Sequence, residues 1–508
     1  MHRVVRIAPL LKLPRNASIF DYLWDIETEP VGGMVVQISF RRRAVYGVVV
    51  AVQAHSTFKL KSVEAQQPAA LLTPLDVRLA LDVSRRMEST VGSLFIHMLP
   101  QLTKKTILEC ATARAPDFQV THKSGTLQYA WLSNSNTTEQ ALSAAVLQRA
   151  SLGPIAVVTA TQEQAVVCSA WLAKHTALNV IQLRPDSAPQ RRAAWCAWVA
   201  AQPNTVLVGT HLACWLPHAS RATFIILESS HPAHEQWDGA RCTNRQILEA
   251  RRIHFTDAIV VLDHSPDTVD LARVTALPTL AAWPTIIDRT ADEPQARTRQ
   301  WSPTLDEKIS AARRTLFFVT HLNNATHQVC RDCGKLIRSD ESQHVAVCSS
   351  CHSVRLVDLG FGGKKLVSEL RALSSVITES EIALLDVKKF NERELNDVHK
   401  KIIIATAPLF DRLPLTEFDL IIDVTADFEL LHPDFDSEER LWKRLRAMSV
   451  RLGAAWSGKW FAETRHSELA AWRLVSNAGF KNWWQHEESL RKRFKQRPFT
   501  ELDFSAEI

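Results

Sequence analysis

Four short apolar runs, Ile155-Ala-Val-Val158, Val206-Leu-Val208, Phe224-Ile-Ile-Leu227 and Ala258-Ile-Val-Val-Leu262, are separated by stretches with helical spacing. Runs this short, without polar alternation, suit strands covered on both faces. Their alternation with helices predicts a parallel, doubly wound α/β sheet over residues 127–282. A second α/β unit is expected over 302–450, with a strand at Thr315–Val319, a cysteine module, a helix over Leu366–Leu373 and strands at Ile402–Ala405 and Leu420–Val424. Residues 283–301, holding Pro284, Pro294 and several charges, read as the joint between the two. Ahead of both, residues 1–65 read as short β-strands broken by Gly32-Gly33 and an Arg41–Arg43 turn. Thr73-Pro74 then caps a helical part over 73–100 whose apolar set includes Leu75, Leu79 and Val83. Residues 110–127 read as a polar linker. Residues 451–508 read as a basic, tryptophan-rich helical close.

At 508 residues the chain has length for several domains. With 46% hydrophobic and 22% charged residues, the composition excludes a disordered chain. The net charge of +6 is modest but clustered, at Arg41-Arg42-Arg43 and Arg491-Lys492-Arg493-Phe494-Lys495-Gln496-Arg497. Such clusters suit phosphate neutralisation, although a solvated face explains any single one as well. No apolar leader opens the sequence and the run near Ala44–Val52 is too short to cross a bilayer, so no membrane association is expected and a cytoplasmic, nucleoid-associated location is. Tryptophan reaches 15 residues against three tyrosines, and Trp483-Trp484 beside the second basic cluster reads either as a stacking platform or as core.

Four of the nine cysteines form Cys330-Arg-Asp-Cys333 and Cys348-Ser-Ser-Cys351. Two such knuckles aim four thiolates at one point, which predicts a single structural zinc. Gly334 allows the tight turn after the first knuckle. Cys110, Cys168, Cys196, Cys214 and Cys242 are scattered, as in a reduced protein without a disulfide framework.

A nucleotide-driven machine places a glycine-rich phosphate loop after the first strand of its first lobe. Here that position carries Asn134-Ser-Asn-Thr137-Thr138, without glycine or lysine. The single near match, Gly453-Ala-Ala-Trp-Ser-Gly458-Lys459, follows an arginine-rich helical stretch and lacks the hydroxyl that would ligate Mg²⁺. It reads as chance.

Several stretches together resemble the primosomal protein N-prime (PriA) family of replication-restart helicases. Pro14-Arg-Asn-Ala-Ser-Ile-Phe20-Asp21-Tyr22-Leu23, Val31–Phe40 and Tyr46-Gly47-Val-Val-Val50 resemble its 3′-DNA-end-binding domain. Val206-Leu-Val-Gly209-Thr210-His-Leu-Ala213 resembles V-x-I-G-T-R-S-A. Gly239-Ala-Arg241-x-x-x-Arg245 resembles G-P-R-Y-x-x-R, Leu359-Gly360-Phe-Gly362 resembles L-G-x-G, and Pro433–Arg440 resembles D-F-R-x-x-E-R. The resemblance implies two tandem RecA-like helicase lobes, a β-rich DNA-binding domain over 1–110 and a zinc insert over 330–351 in lobe two. It implies that Phe20, Asp21, Tyr22 and Lys61 receive a free 3′ end, with Arg41 adding a cation where the family often has glycine. Of the family's eight cysteines, the four present are the outer pairs that share one ion.

The departures matter as much. Glu228-Ser-Ser-His231 stands where the family has D-E-E-H, and Ala447-Met-Ser-Val-Arg451-Leu-Gly-Ala454 where it has Q-V-A-G-R-A-G-R. Thr137, Thr138, Glu228, His231 and Arg451 are thus remnants of a catalytic set, and ATP with Mg²⁺ is not expected to be used, because phosphoryl transfer depends on positioning and charge that are missing. The family's winged-helix segment is expected to be absent near 110–127, and its C-terminal domain to be cut short. The expected function is recognition of forked DNA with a free 3′ end in replication restart, without ATP-driven unwinding. Single strands, a single-strand-binding protein and helicase-loading proteins are the expected partners. An active divergent ATP-dependent 3′–5′ helicase and a zinc-stabilised protein-interaction scaffold are the alternatives.

Overall fold

A computed structural model describes residues 3–14, 18–53, 55–56, 60–64, 69–87, 89–113, 125–132, 138–200, 203–219, 222–236, 242–255, 257–265, 270, 279–290, 292–293, 299–319, 322, 327–338, 347–359, 362–373, 377–385, 399–406, 409, 413, 415–431, 437–473 and 475–496. The chain divides into two compact units, Met1–Pro278 with Arg491–Ile508, and Thr279–Leu490.

The first unit opens with an antiparallel sheet of β1 (Arg3–Pro9), β2 (Phe20–Trp24), β3 (Met34–Phe40), β4 (Arg43–Gln53) and β5 (Ala69–Ala70), in the order β2-β1-β4-β3-β5. Alternate residues Val5, Ile7, Met34, Val36 and Ile38 point into one apolar cluster with Tyr22 and Trp24. Gly33, at φ +95, packs so closely on the Leu72 carbonyl that no side chain would fit. Three helices follow, α1 (Pro74–Arg86), α2 (Val91–Met98) and α3 (Lys104–Ala113). The predicted cap is present: the Thr73 hydroxyl accepts the Asp76 amide at 3.1 Å, and Asp76 accepts the Thr73 amide at 2.7 Å.

The second sheet is all parallel, with β6 (Leu127–Trp131), β7 (Ile155–Val158), β8 (Asn179–Gln182), β9 (Thr205–Gly209), β10 (Thr223–Leu227) and, after the short hairpin of β11 (Glu235–Gln236) and β12 (Cys242–Thr243), β13 (Ala258–Asp263). Its order is β6-β13-β10-β7-β9-β8. The runs predicted as strands are buried on both faces. Ile225 and Leu227 face a cluster formed with α4 (Thr138–Arg149) and α5 (Gln162–His175). Phe224 and Ile226 face a second cluster, formed with α6 (Ala188–Val199) and α7 (Asn244–His254). That second cluster also contains Leu79, Val83, Leu94 and Phe95, so α1 and α2 share a core with lobe one rather than closing one of their own. Polar ties seal the joint: Asp76 accepts the His218 amide at 2.7 Å, and the Arg191 guanidinium donates to the Ile96, His97 and Leu99 carbonyls at the end of α2.

The second unit holds another all-parallel sheet, of β14 (Thr285–Asp288), β15 (Thr315–Val319), β19 (Ile382–Leu385), β20 (Ile402–Thr406), β21 (Leu420–Asp423) and β22 (Trp460–Thr464), ordered β14-β22-β21-β15-β20-β19. An antiparallel ribbon of β16 (His327–Cys330), β17 (Leu336–Arg338) and β18 (Leu356–Leu359) is inserted after β15. Two all-parallel sheets of this build are the tandem doubly wound α/β lobes expected from the sequence.

The boundaries of lobe two need correction. Thr285–Asp288, read as part of a joint, and Trp460–Thr464, read as part of a helical close, are strands paired with each other, Thr285 opposite Phe461. Each hides its signal for a physical reason. The first is four residues with proline in front. The second follows Gly453 and Gly458, whose positive φ of 71° and 75° turn a helix into a strand. The same geometry disposes of the near-match phosphate loop, which lies between a helix and a strand in that order.

Candidate nucleic-acid interface and metal centre

β2 is an edge strand, and its open side is covered by residues 60–64. The Leu23 amide donates to the Lys61 carbonyl at 2.9 Å, and the Val63 amide to the Leu23 carbonyl at 3.1 Å. This parallel contact, far apart in sequence, brings Lys61 alongside Phe20, Asp21 and Tyr22. Phe20 is half-buried and meets Phe40 edge-on, with ring centroids 5.0 Å apart. The Arg41 guanidinium lies over Phe40 at 5.7 Å. Phe20, Phe40 and Arg41 thus form one connected rim. The Asp21 carboxylate accepts the Ser56 hydroxyl at 2.9 Å and lies 3.8 Å from the Arg6 guanidinium. Tyr22 has a different place: its ring is 4% exposed and its hydroxyl donates to the Ser39 carbonyl at 3.3 Å. Burial first, and the charge of Glu64 second, push its phenol above the usual value. A ring so placed supports the strand from beneath, so Phe20 is the more exposed aromatic of the pair.

Of the remnants of the catalytic set, Glu228 and His231 follow the carboxyl end of β10, where open parallel sheets place their ligands. Thr138 begins α4, whereas Thr137 lies outside the described residues. Glu228 follows β10 in a left-handed conformation at φ +50, which a non-glycine residue adopts at a cost. Asp263, the last residue of β13, is a member of this site that the sequence reading missed. It accepts the Ser229 hydroxyl at 2.7 Å, the Ser230 amide at 2.8 Å, the Ser230 hydroxyl at 3.0 Å and the Ser265 amide at 2.9 Å. Its position directly after the apolar run 258–262 was the available signal. The His231 amide donates to the Glu228 carbonyl at 2.8 Å. Below it, buried His234 donates from Nε2 to the Leu227 carbonyl and accepts Asn244 at Nδ1, both at 2.8 Å. This pairing fixes a neutral imidazole, and burial lowers its pKa to about 4.

Beside β6, buried Arg245 donates to Asp270 and to Glu249, each at 3.0 Å. Gly239 and Arg241 of the same stretch lie outside the described residues, as do Gly360 and residues 432–436. Arg451 is on the helix Ser437–Leu452 of the second unit and is half-buried. Trp483 and Trp484 are 3% and 8% exposed, and the Trp483 indole donates to Glu438 at 2.7 Å. Both are core residues rather than platforms.

In the inserted ribbon the four predicted cysteines converge, with all four sulfurs within 4.8 Å of one another. The Cys330–Cys351 and Cys333–Cys348 sulfurs are 3.5 and 3.6 Å apart. Four thiolates at 2.3 Å from a tetrahedral ion stand just under 4 Å apart, so the cluster fits one Zn²⁺. The two knuckles share one hydrogen-bond pattern. Cys330 N donates to Lys335 O and Gly334 N to Cys330 O; Cys348 N donates to Ser353 O and His352 N to Cys348 O. Gly334 and His352 both take positive φ, 72° and 57°. The glycine anticipated after the first knuckle therefore has a histidine counterpart after the second. Backbone amides, from Cys333 and Cys351 foremost, lower the thiols of Cys330 and Cys348, the latter to about 6.

Residues 10–100 match the PriA family's domain described as 3'DNA-binding domain (3'BD). Residues 10–100 are thus similar to a domain of the PriA family. The PriA match covers β2 to β5 with α1 and α2, and so includes Phe20, Asp21, Tyr22, Arg41 and Lys61. Among solved structures, the chain is similar to the NS3-like helicase from Alongshan virus, with 12% identity and a TM-score of 0.38 over 68% of this chain and 74% of that one. It is similar to Dbp5 of S. cerevisiae bound to RNA and ADP BeF3, with 11% identity and a TM-score of 0.38 over 83% and 97%. A DEAD box protein from Methanococcus jannaschii gives 11% identity and 0.31 over 74% and 87%. No curated protein matches the chain. Among the described residues, no helix is long and apolar enough to cross a membrane.

Proposed function

We propose that this chain is a DNA-binding protein of replication restart that recognises forked DNA through a free 3′ end and does not unwind it with ATP. The observation that supports the reading is the pairing of residues 60–64 with β2 inside the matched domain, which sets the backbone of Lys61 beside the edge strand that carries Phe20 and Asp21. An aromatic face there can stack on a terminal base, a carboxylate can accept a 3′-hydroxyl, and an exposed lysine can meet a phosphate. The absence of ATP-driven unwinding is supported by Ser229 and Ser230. They stand where the resemblance has two glutamates, and their hydroxyls are engaged by Asp263. The cysteine site would hold a structural zinc: with four thiolates it leaves no coordination position for water and braces the ribbon. A single-strand-binding protein and helicase loaders are the partners this role calls for, with a cytoplasmic location at the nucleoid.

The test measures binding to forks ending in 3′-OH or 3′-phosphate, together with ATP hydrolysis with and without forked DNA, on zinc-loaded protein. The proposal expects preference for the 3′-OH fork, loss of that preference in Asp21→Ala, and hydrolysis at background. Fork-stimulated hydrolysis abolished by Glu228→Ala would establish the divergent helicase instead. Equal binding to forks and random duplex would leave the interaction scaffold.

A further inference from the structure

Beside the hairpin of β3 and β4 lies a groove of about 570 Å³ whose walls are residues 11–13, 40–41 and 43–45. The volume falls in the range of small-ligand sites, about 300–1,000 Å³. Its lining is cationic and apolar at once: Lys12, Arg41 and Arg43 supply charge, Leu11, Leu13 and Val45 supply wall, and no carboxylate lines it. The two walls are held together by the Leu10 amide, which donates to the Tyr46 carbonyl at 2.9 Å. Arg41, Arg42 and Arg43 are all exposed, and none forms an ion pair with a carboxylate among the described residues.

The turn itself is unusual. Two-residue hairpins of this kind require positive φ at both central positions, which is why asparagine and glycine dominate them. Here both positions are arginine, at φ 46° and 64°. The chain thus accepts backbone strain and the mutual repulsion of three neighbouring guanidinium groups at one point. Local rules broken together, with charge aimed into a groove, are what a polyanion site looks like.

We infer that this groove binds the sugar-phosphate backbone of single-stranded DNA, as a contact separate from the capture of the 3′-terminal hydroxyl. The inference rests on the DNA-binding reading above and adds a sequence-independent hold on the strand that leads to the end. Lys12 and Arg43 each meet a phosphate, and the apolar wall takes the sugar or base edge. An acidic peptide would satisfy the cations but has no use for the apolar wall between them.

The experiment measures affinity of the full zinc-loaded chain for a thymidine oligonucleotide and for forks ending in 3′-OH or 3′-phosphate, across a salt series. Lys12→Ala with Arg43→Ala should weaken binding roughly tenfold for all three. It should also reduce the slope of log K against log salt by about 1.4, since each single-strand phosphate contact contributes about 0.7. Lys12→Ala alone should reduce the slope by about half as much, and Arg43→Lys should keep it, which separates lost charge from lost fold. An unchanged slope overturns the inference, as does a loss confined to the 3′-OH fork, or tighter binding of a polyglutamate peptide than of the oligonucleotide. Should wild type show no preference for 3′-OH, the end-capture reading fails while the salt slope still decides the groove.

Discussion

The Ser229 hydroxyl donates to Asp263 at 2.7 Å, tying the end of β10 to the end of the adjacent β13. Removing it in Ser229→Ala leaves that carboxylate oxygen with the Ser230 amide alone. A charge-assisted hydrogen bond of this kind contributes about 1.5–3 kcal/mol, so denaturant unfolding of the variant should show a loss near 2 kcal/mol. Ser229→Glu sets a second carboxylate against Asp263. It should cost more than the alanine and leave DNA-stimulated ATP hydrolysis at background.

Zinc removal should act locally. Cys348→Ser, at a buried ligand, should lower the metal content from one ion per chain and open residues 327–338 and 347–359 to proteolysis. A strong chelator should do the same to the wild-type chain. Retention of full stoichiometry in Cys348→Ser would refute the four-thiolate site.

His234 gives the first lobe a pH dependence with a definite sign. Its pKa falls on folding from about 6.5 to about 4, so its contribution to stability is fully present above 6.5 and is lost as pH falls toward 4. The full effect reaches about 3 kcal/mol. Denaturant midpoints of wild type should fall through this window, and those of His234→Gln should fall less.

Arg251 is fully buried on α7. It donates to Asp257 at 2.9 Å and to the Leu216 carbonyl at 2.6 Å, and lies over Phe224 and Phe255 at 4.3 and 4.8 Å. Arg251→Leu leaves Asp257 buried without its cation, and the loss should be about 3–5 kcal/mol. Burial already raises Asp257 to about 6 even with Arg251 beside it, and loss of that cation raises the carboxyl further, so the deficit in the variant should shrink as pH is lowered toward 6 and level off below it.

How far the sequence spoke depended on whether each signal was local. The buried parallel strands announce themselves because four or five consecutive apolar residues have few other uses, and Phe224–Leu227 is such a case. The knuckles were legible because CxxC carries its own geometry. β14 and β22 were not, since each is short, and the strand partner of β14 lies 172 residues or more along the chain. Lys61 was reached as a candidate residue through resemblance alone; its place beside β2, a parallel contact on an edge strand, has no local signature. Asp263 escaped notice because its importance comes from two serines in the turn after a different strand.

That pairing of β14 with β22 has a consequence for how the protein is made. β14 leaves the ribosome first among the strands of its sheet, yet its only partner there emerges last. At about 5–20 residues per second, the 172 residues from Asp288 to Trp460 take roughly 10–35 s to synthesise. Through that interval the other strands can assemble, but the sheet must wait with one side unfilled. The nascent chain therefore carries a sticky margin for tens of seconds, and anything that stalls translation before Trp460 prolongs its exposure to chaperones and to its neighbours.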